Sequence, residues 1–290
     1  MPLLAIPNVS EGRDLEFVRA LQAEIARAGS RILDVHTDPA HNRSVFTVTG
    51  ANDQIVSAMT NLARAASAID LTVQRGVHPR LGGLDVCPIV PHEKDMTEAI
   101  EVAHAVGENI GRRVPLPVFF YGDAATREDL RDLPAIRKGG LKQLIARARS
   151  GLHPDAGPSE IEERRGVVCV GARSSLIAFN VWLGADASVA RSIAAEVRTA
   201  SGGPVGIRAL GLGIDDAPTS QVSMNLTQPS VTGIDIAFSV VEAAAGRTGA
   251  PIIATEIVGL VAEANLPDPN AKAARLLLAP GRSVESVLRR

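Results

Sequence analysis

The sequence predicts an α+β protein assembled from two βαββαβ units, each a four-stranded antiparallel sheet with two helices on one face. Three observations carry that reading. Short β-branched and apolar runs alternate with amphipathic helical stretches in the order strand, helix, strand, strand, helix, strand. The same order returns in the second half of the chain without obvious sequence repetition. The chain has 290 residues, 46% hydrophobic and 21% charged, which is ample material for the cores this requires.

In the first unit, Leu3 to Pro7 is a short apolar strand, and Pro7-Asn8-Val9-Ser10-Glu11-Gly12-Arg13 is a turn-rich loop. From Asp14 the apolar residues Leu15, Val18, Leu21, Ile25 and Ala28 recur at helical spacing, and Gly29 stops the helix. Arg31 to His36 is a strand, and Thr37 to Asn42 a polar turn. Ser44 to Thr49 mixes β-branched and aromatic residues and pairs as the next strand. Residues 52–69 form an alanine-rich helix with Asn52 or Asp53 available as a cap. A glycine-punctuated loop from Gly76 then feeds the strand Leu84 to Val90. This is the split βαβ, or ferredoxin-like, order. A helix over 95–112, a strand from Val118 to Tyr121 and helical turns to about Arg149 extend it, and 150–166 is a polar connection.

The second unit runs through a strand from Leu176 to Leu183, a helix over 187–199 and a strand pair, Ile207 to Ile214 and Gln221 to Leu226. A helix over 231–247, closed by Gly246 and Gly249, and a strand from Pro251 to Val258 complete it. From Pro267 a peripheral helix and a short polar end follow. Two such units can set their open faces side by side and leave a groove, and clefts between domains are favoured ligand sites.

Bulk properties exclude several function classes. A net charge of −2 gives no general attraction to nucleic acid or an anionic membrane, so an anionic substrate must be met by local arginines. Aromatic residues make up only 3%, too few for base stacking. Cys87 and Cys169 lie in apolar runs and read as buried thiols of a reducing compartment. Residues 1–9 lack the pattern of a signal peptide, and no apolar run has the length of a membrane span.

Four polar clusters sit on loops or strand ends. They are Asn8, Ser10, Glu11 and Arg13; His36, Asp38, His41, Asn42 and Arg43; His78 and Arg80 with Asp85 beyond; and Gly157 through Gly166, leading to Arg173. His78 precedes Pro79, which pushes it toward extended geometry. Gly82 and Gly83 allow close backbone approach. An imidazole held in a stiff, cationic loop suits acid–base chemistry near neutral pH. Arg43, Arg80 and Arg173 can clamp carboxylates in a two-pronged manner. His36, His41, His78 and Asp38 could supply the three or four ligands of a metal, but no recognisable zinc or iron spacing occurs, and none is expected. Glycine-rich stretches at 202–206 and 211–213 match neither a Walker loop nor a dinucleotide fingerprint. Glu160, Glu162, Glu163, Arg164 and Arg165 read as a mobile charged loop, or as a lid.

Several of these segments together resemble the glutamate formiminotransferase family. They are Pro7-Asn8-Val9-Ser10-Glu11-Gly12-Arg13, His41-Asn42-Arg43-Ser44-Val45, Gly76-Val77-His78-Pro79-Arg80-Leu81-Gly82, Asp85-Val86-Cys87-Pro88, Gly157-Pro158-Ser159 and Gly171-Ala172-Arg173 with Leu176-Ile177-Ala178-Phe179-Asn180. The resemblance spans nearly the whole chain. It implies an N-terminal subdomain over 1–175 and a C-terminal one over 176–290, in a usually dimeric cytoplasmic enzyme of histidine breakdown. It implies transfer of the formimino group of N-formimino-glutamate to N5 of tetrahydrofolate as co-substrate, without metal or redox cofactor. His78 matches the family's catalytic histidine. The folate-contacting segment falls on Gly157, Pro158, Ser159, Glu160, Ile161, Glu162, Glu163, Arg164, Arg165 and Gly166, with a further contact at Gly206. Asn8, Ser10, His36, Asn42, Arg43, Arg80 and Arg173 are the candidate substrate-binding residues. The chain departs from the family pattern in three places: Val77 replaces a glutamate, Gln74 replaces a histidine, and residues 161–165 are charged rather than ring-bearing. A hydrolase that releases the group to water without folate, or a non-catalytic small-molecule sensor, would share the same framework.

Overall fold

A computed structural model describes residues 3–92, 95–214 and 219–289. The chain divides between Ser174 and Ser175 into two compact units, each with its own sheet.

The first unit carries β1 (Leu3–Ala5), β2 (Asn8–Val9), α1 (Leu15–Ala26), β3 (Arg31–Asp38), β4 (Arg43–Gly50), α2 (Asn52–Ala66) and β5 (Leu84–Pro91). Then come α3 (Met96–Arg113), β6 (Val118–Gly122), α4 (Leu133–Arg137), α5 (Gly140–Arg149) and β7 (Val168–Ala172). β1 and β2 are one interrupted strand, since both pair antiparallel with β4 on one side and β5 on the other. The interruption falls at Ile6-Pro7, opposite Pro88. Neither proline can donate to a ladder, and the gap is bridged by Ile6 N–H donating to Pro88 O on one side and by Phe46 N–H donating to Pro7 O on the other. β3 closes the far edge on β4.

The sheet does not stop at the antiparallel strands. β5 pairs in parallel with β7, and β7 in parallel with β6. Val167 to Ala172 was not foreseen as a strand, because it carries no period-two alternation. The reason is visible in the packing: Val168, Val170 and Ala172 join the core under α1, α2 and α3, while Val167 and Cys169 join a second core with Phe119, Tyr121, Ile136 and Leu144 under α4 and α5. A strand covered on both faces reads as a continuous apolar run. Helix α2 also differs in its cap. Neither Asn52 nor Asp53 closes it; the Gln54 side chain reaches back to accept the Ala51 N–H.

The second unit carries β8 (Ile177–Leu183), α6 (Ala187–Val197), β9 (Ile207–Ile214), β10 (Thr219–Leu226), α7 (Ile234–Thr248) and β11 (Ile252–Val258) in one antiparallel sheet ordered β11-β8-β10-β9. Alternate residues Ile177, Phe179, Val181 and Leu183 of β8 face α6 and α7. The tail forms α8 (Lys272–Arg275) and α9 (Val284–Leu288), tied to the unit by Thr255 Oγ1 donating to Ala273 O and by Val261 N–H donating to Arg282 O.

Candidate functional site

The site grows from the face of the first sheet opposite α1, α2 and α3, beside the part covered by α4 and α5. Cross-strand partners share a face, so the pairings Asp38 with Arg43, His36 with Val45 and Asn8 with Val45 place His36, Asp38, Arg43 and Asn8 together. Phe46 and Val48 point the other way, into the helical core. The loop from Gln74 to Gly83 lies over this face and carries His78.

That loop is stitched down at several points. The Gln74 amide donates to Ser10 O at 2.6 Å and to Glu11 Oε2 at 3.0 Å. Ser10 Oγ donates to Gly82 O at 2.7 Å. Asn42 adopts φ 47°, a left-handed geometry that asparagine tolerates better than most residues. Its side chain accepts the Gly12 N–H and donates to Arg75 O, both at 2.9 Å. Arg80 donates through Nη2 to His41 O at 2.9 Å and lies 3.4 Å from Asn42 O through Nη1. Glu11 Oε1 collects the N–H groups of Gly12, Arg13 and Asp14. Partial burial would raise the Glu11 carboxyl, but these donors and Gln74 hold it below the ordinary range.

His78 is partly buried. Its Nδ1 lies 2.9 Å from Pro79 O. Pro79 O only accepts and asks for the proton on Nδ1, whereas Arg43 Nη1, 3.4 Å away, only donates; the shorter Pro79 contact favours Nδ1–H, which leaves the lone pair on Nε2. The His41 ring centroid stands 6.0 Å from that of His78. Loss of water, followed by the charges of Arg43 and Arg137, pushes the His78 pKa down to about 3. The ring is therefore neutral at pH 7, with a bare Nε2.

Beside it lies a buried ion cluster. Asp85 on β5 is fully enclosed, and its Oδ1 accepts the Leu81 N–H at 2.8 Å. Its Oδ2 meets Arg43 Nη1 at 2.8 Å and also Arg137 Nη2, from the end of α4. Burial alone would raise the Asp85 carboxyl; Arg137, Arg43 and the Leu81 N–H outweigh it and hold the group below the usual carboxylate range. Arg43 is oriented further by Nε donating to Asn8 Oδ1 at 3.0 Å. Farther along the sheet Arg173 lies against the Tyr121 hydroxyl and donates to Ser174 O.

The candidate residues thus separate by role. His78, Arg43, Asn8 and His36 converge on one face. Ser10, Asn42 and Arg80 have their polar atoms committed to backbone groups, so they build the wall of the site rather than presenting free groups to a substrate. Residues 157–166 are not a mobile loop: Ile161 is buried in the second core, Gly166 bridges to Gly82, Val167 N–H donates to Leu81 O, Arg164 Nε donates to Asp70 Oδ2 at 3.1 Å and Arg165 Nη2 to Val114 O at 3.0 Å. Glu160, Glu162 and Glu163 remain exposed. Gly157 has φ 81°, and a Cβ there would come within 2.2 Å of Leu116 O. Gly206 belongs to the second unit, where it turns the chain into β9 with φ 86°. Among the described residues no group of three or more His, Cys, Asp or Glu is placed to hold a metal ion, and no helix is long and apolar enough to cross a membrane.

Arg137 and Tyr121 were not singled out from the sequence. The one available signal for Arg137 was compositional: from Arg137 to Arg149 the chain has only basic charges, Arg137, Lys138, Lys142, Arg147 and Arg149.

Gly76 shows how tightly the His78 loop is seated. A Cβ at this position would stand 2.0 Å from Arg80 Nη2 and 2.3 Å from His41 O. The guanidinium could swing away, but the carbonyl is backbone. Gly76→Ala is expected to cost about 1–3 kcal/mol, the range of overpacking, and to lower turnover by displacing His78. Thermal melts and steady-state rates check both.

Similarity to known proteins bears on what the site does. The model of the formiminotransferase domain, N-terminal subdomain, matches residues 3–173, and that of the formiminotransferase domain matches residues 178–271. A glutamate formimidoyltransferase of Streptococcus pyogenes serotype M1 is 38% identical over 261 residues, covering 88% of this chain and 87% of that protein. One from Thermoplasma acidophilum is 38% identical over 272 residues, covering 91% and 89%. A formimidoyltransferase-cyclodeaminase of Sus scrofa is 34% identical over 266 residues, and the match covers 49% of that longer protein.

Proposed function

The chain belongs to the formiminotransferase family, and on that premise we propose that it moves the formimino group of N-formimino-glutamate to tetrahydrofolate, with His78 as the general acid and base. The observation that carries the assignment is the neutral His78 ring, with Nδ1 held by Pro79 O and Nε2 open, beside a cluster with more guanidinium than carboxylate charge. Tetrahydrofolate supplies the nucleophilic amine. The residues suit such a partner: the arginine excess fits molecules that carry glutamate carboxylates, and the ordered 157–166 segment joins the His78 loop through Gly82 and Gly166.

In this reading, the incoming nitrogen adds to the formimidoyl carbon to give a tetrahedral intermediate, which collapses as the bond to the glutamate nitrogen breaks. His78 Nε2 takes the proton leaving the incoming nitrogen and returns it to the departing one. A positioned acid–base group of this kind contributes about 10²–10⁴ in rate. Gly157 through Gly166 are the folate contacts of the first unit, and Asn8, His36, Arg43 and Arg173 face the donor. Both sheets have the strand order of ferredoxin-like units, the first extended by two strands, which supports that reading of the subdomains 1–175 and 176–290. We place the enzyme in histidine breakdown and in the cytoplasm, as a homodimer, on the family resemblance. The cysteines accord with a reducing compartment: Cys87 and Cys169 are free, buried in different cores, and pushed up to about 12 by burial.

The test is glutamate release from N-formimino-glutamate with and without tetrahydrofolate. The expected result is turnover only when folate is present. Release at the same rate without it would mean hydrolysis and end the transferase reading.

A further inference from the structure

The ion cluster at Asp85 is unbalanced. One carboxylate oxygen receives both Arg43 and Arg137, so one negative charge answers two positive ones. The other acids nearby are engaged elsewhere. Glu11 serves the N–H groups of its own loop, Gln74 and, at longer range, Arg80. Asp38 faces His41 across 3.7 Å. Burial alone would lower the Arg137 guanidinium; Asp85 outweighs it and holds the group above its ordinary range, while burial pushes Arg43 below it. The other groups of acidic type acting on Arg137, Tyr121 and Cys169, are neutral at pH 7 because burial pushes each up to about 12, so the pair of guanidiniums has Asp85 as its counter-charge. Burying two cations against one anion is costly, and the excess positive charge suits the place to a second anion.

The two guanidinium groups are not equivalent. Arg43 is held by Asn8 as well as Asp85. Arg137 meets only Asp85, keeps 17% of its side chain exposed, and has a buried Nε–H with no acceptor among the described residues. Arg80, the more obvious choice from the sequence, has its fork closed on the carbonyls of His41 and Asn42. Arg137 also lies near enough to His78 to act on its charge, so an anion bound there would hold its carrier beside the reacting imidazole.

We propose that Arg137 receives one carboxylate of the formimidoyl donor, and so selects an acidic amino-acid derivative over a neutral one. This deepens the transferase reading and rests on it for the identity of the donor. The fork of a guanidinium matches a carboxylate in two parallel hydrogen bonds, and removing it strands a desolvated anion.

The experiment compares wild type, Arg137→Gln and Arg137→Lys with N-formimino-glutamate and with its two mono-amides. Loss of a charge-assisted pair is expected to lower kcat/KM for the diacid by about 10- to 100-fold in Arg137→Gln, with the KM for tetrahydrofolate unchanged. One mono-amide, the one lacking the carboxylate that Arg137 binds, should be used equally well by wild type and variant. Arg137→Lys, which keeps a charge on Asp85, should lie between the two. An equal loss for all three donors would mean a structural role and overturn the proposal. Calorimetry with L-glutamate provides an arm that needs no turnover. Binding by wild type that Arg137→Gln loses upholds the inference even if no transfer is seen; equal binding by both proteins, or none by wild type, overturns it.

Discussion

His78→Ala is expected to lower the rate of the chemical step by at least about a hundredfold, while tetrahydrofolate still binds. The imidazole is neutral, open at a nitrogen and framed by fixed charges. Its Nδ1–H is held by Pro79 O, so rotation cannot exchange the two nitrogens without breaking that bond. Arg43 and Arg137 oppose its protonation, after the loss of water that is the larger cause, and its pKa is pushed down to about 3. The folded protein therefore favours neutral imidazole. Below the ordinary histidine value of 6.5 the unfolded chain takes up a proton that the native state refuses, and native stability falls as the pH drops from there toward about 3. The same shift keeps the resting base neutral at mildly acidic pH. Single-turnover kinetics on the variant, with folate binding followed separately, check the prediction. Unchanged turnover would remove His78 from the mechanism.

The second large effect is on stability. Asp85→Asn keeps the shape of the side chain but leaves Arg43 and Arg137 without their shared counter-charge in a buried place. Breaking a buried pair from one side typically costs about 3–5 kcal/mol, or roughly 10 °C in Tm for a unit of this size. The pH dependence follows from the direction of the Asp85 shift. Its carboxyl lies below the usual range in the folded protein, so its stabilisation is complete above the ordinary carboxylate pKa and is lost as the pH falls through the lower folded value. Wild type should show that acid-side loss, and Asp85→Asn should start without the stabilisation and lack that limb. Calorimetric scans over a pH series measure both. A variant that melts within two or three degrees of wild type at neutral pH would show that the cluster contributes little to folding.

Much of this was open to reading along the chain. The helices α1, α2, α3, α6 and α7 announced themselves by spacing, because each buries one stripe and exposes the rest. The strand pair β3–β4 did so by its β-branched residues and polar turn. The loop carrying His78 stood out because histidine, proline, arginine and paired glycines in a few residues have few structural explanations. What escaped was of a different kind. β7 looked like filler because burial on both faces erases alternation. Arg80 looked like an anion clamp and proved to be a brace, since a guanidinium gives no sign in sequence of whether it will meet a carboxylate or a carbonyl. Arg137 sits 52 residues beyond Asp85 on a five-residue helix, with no motif around it.

The amino-acid order by itself determined most of the secondary elements, the mixed α+β character and the loop that carries His78, because these follow from local patterns of polarity, backbone freedom and residue chemistry. Only the tertiary structure decided which charges share a carboxylate, which nitrogen of His78 is open and which arginine is left over. Those depend on distances of a few ångströms between residues far apart in the chain, where electrostatic energy varies steeply and local sequence carries no record of it.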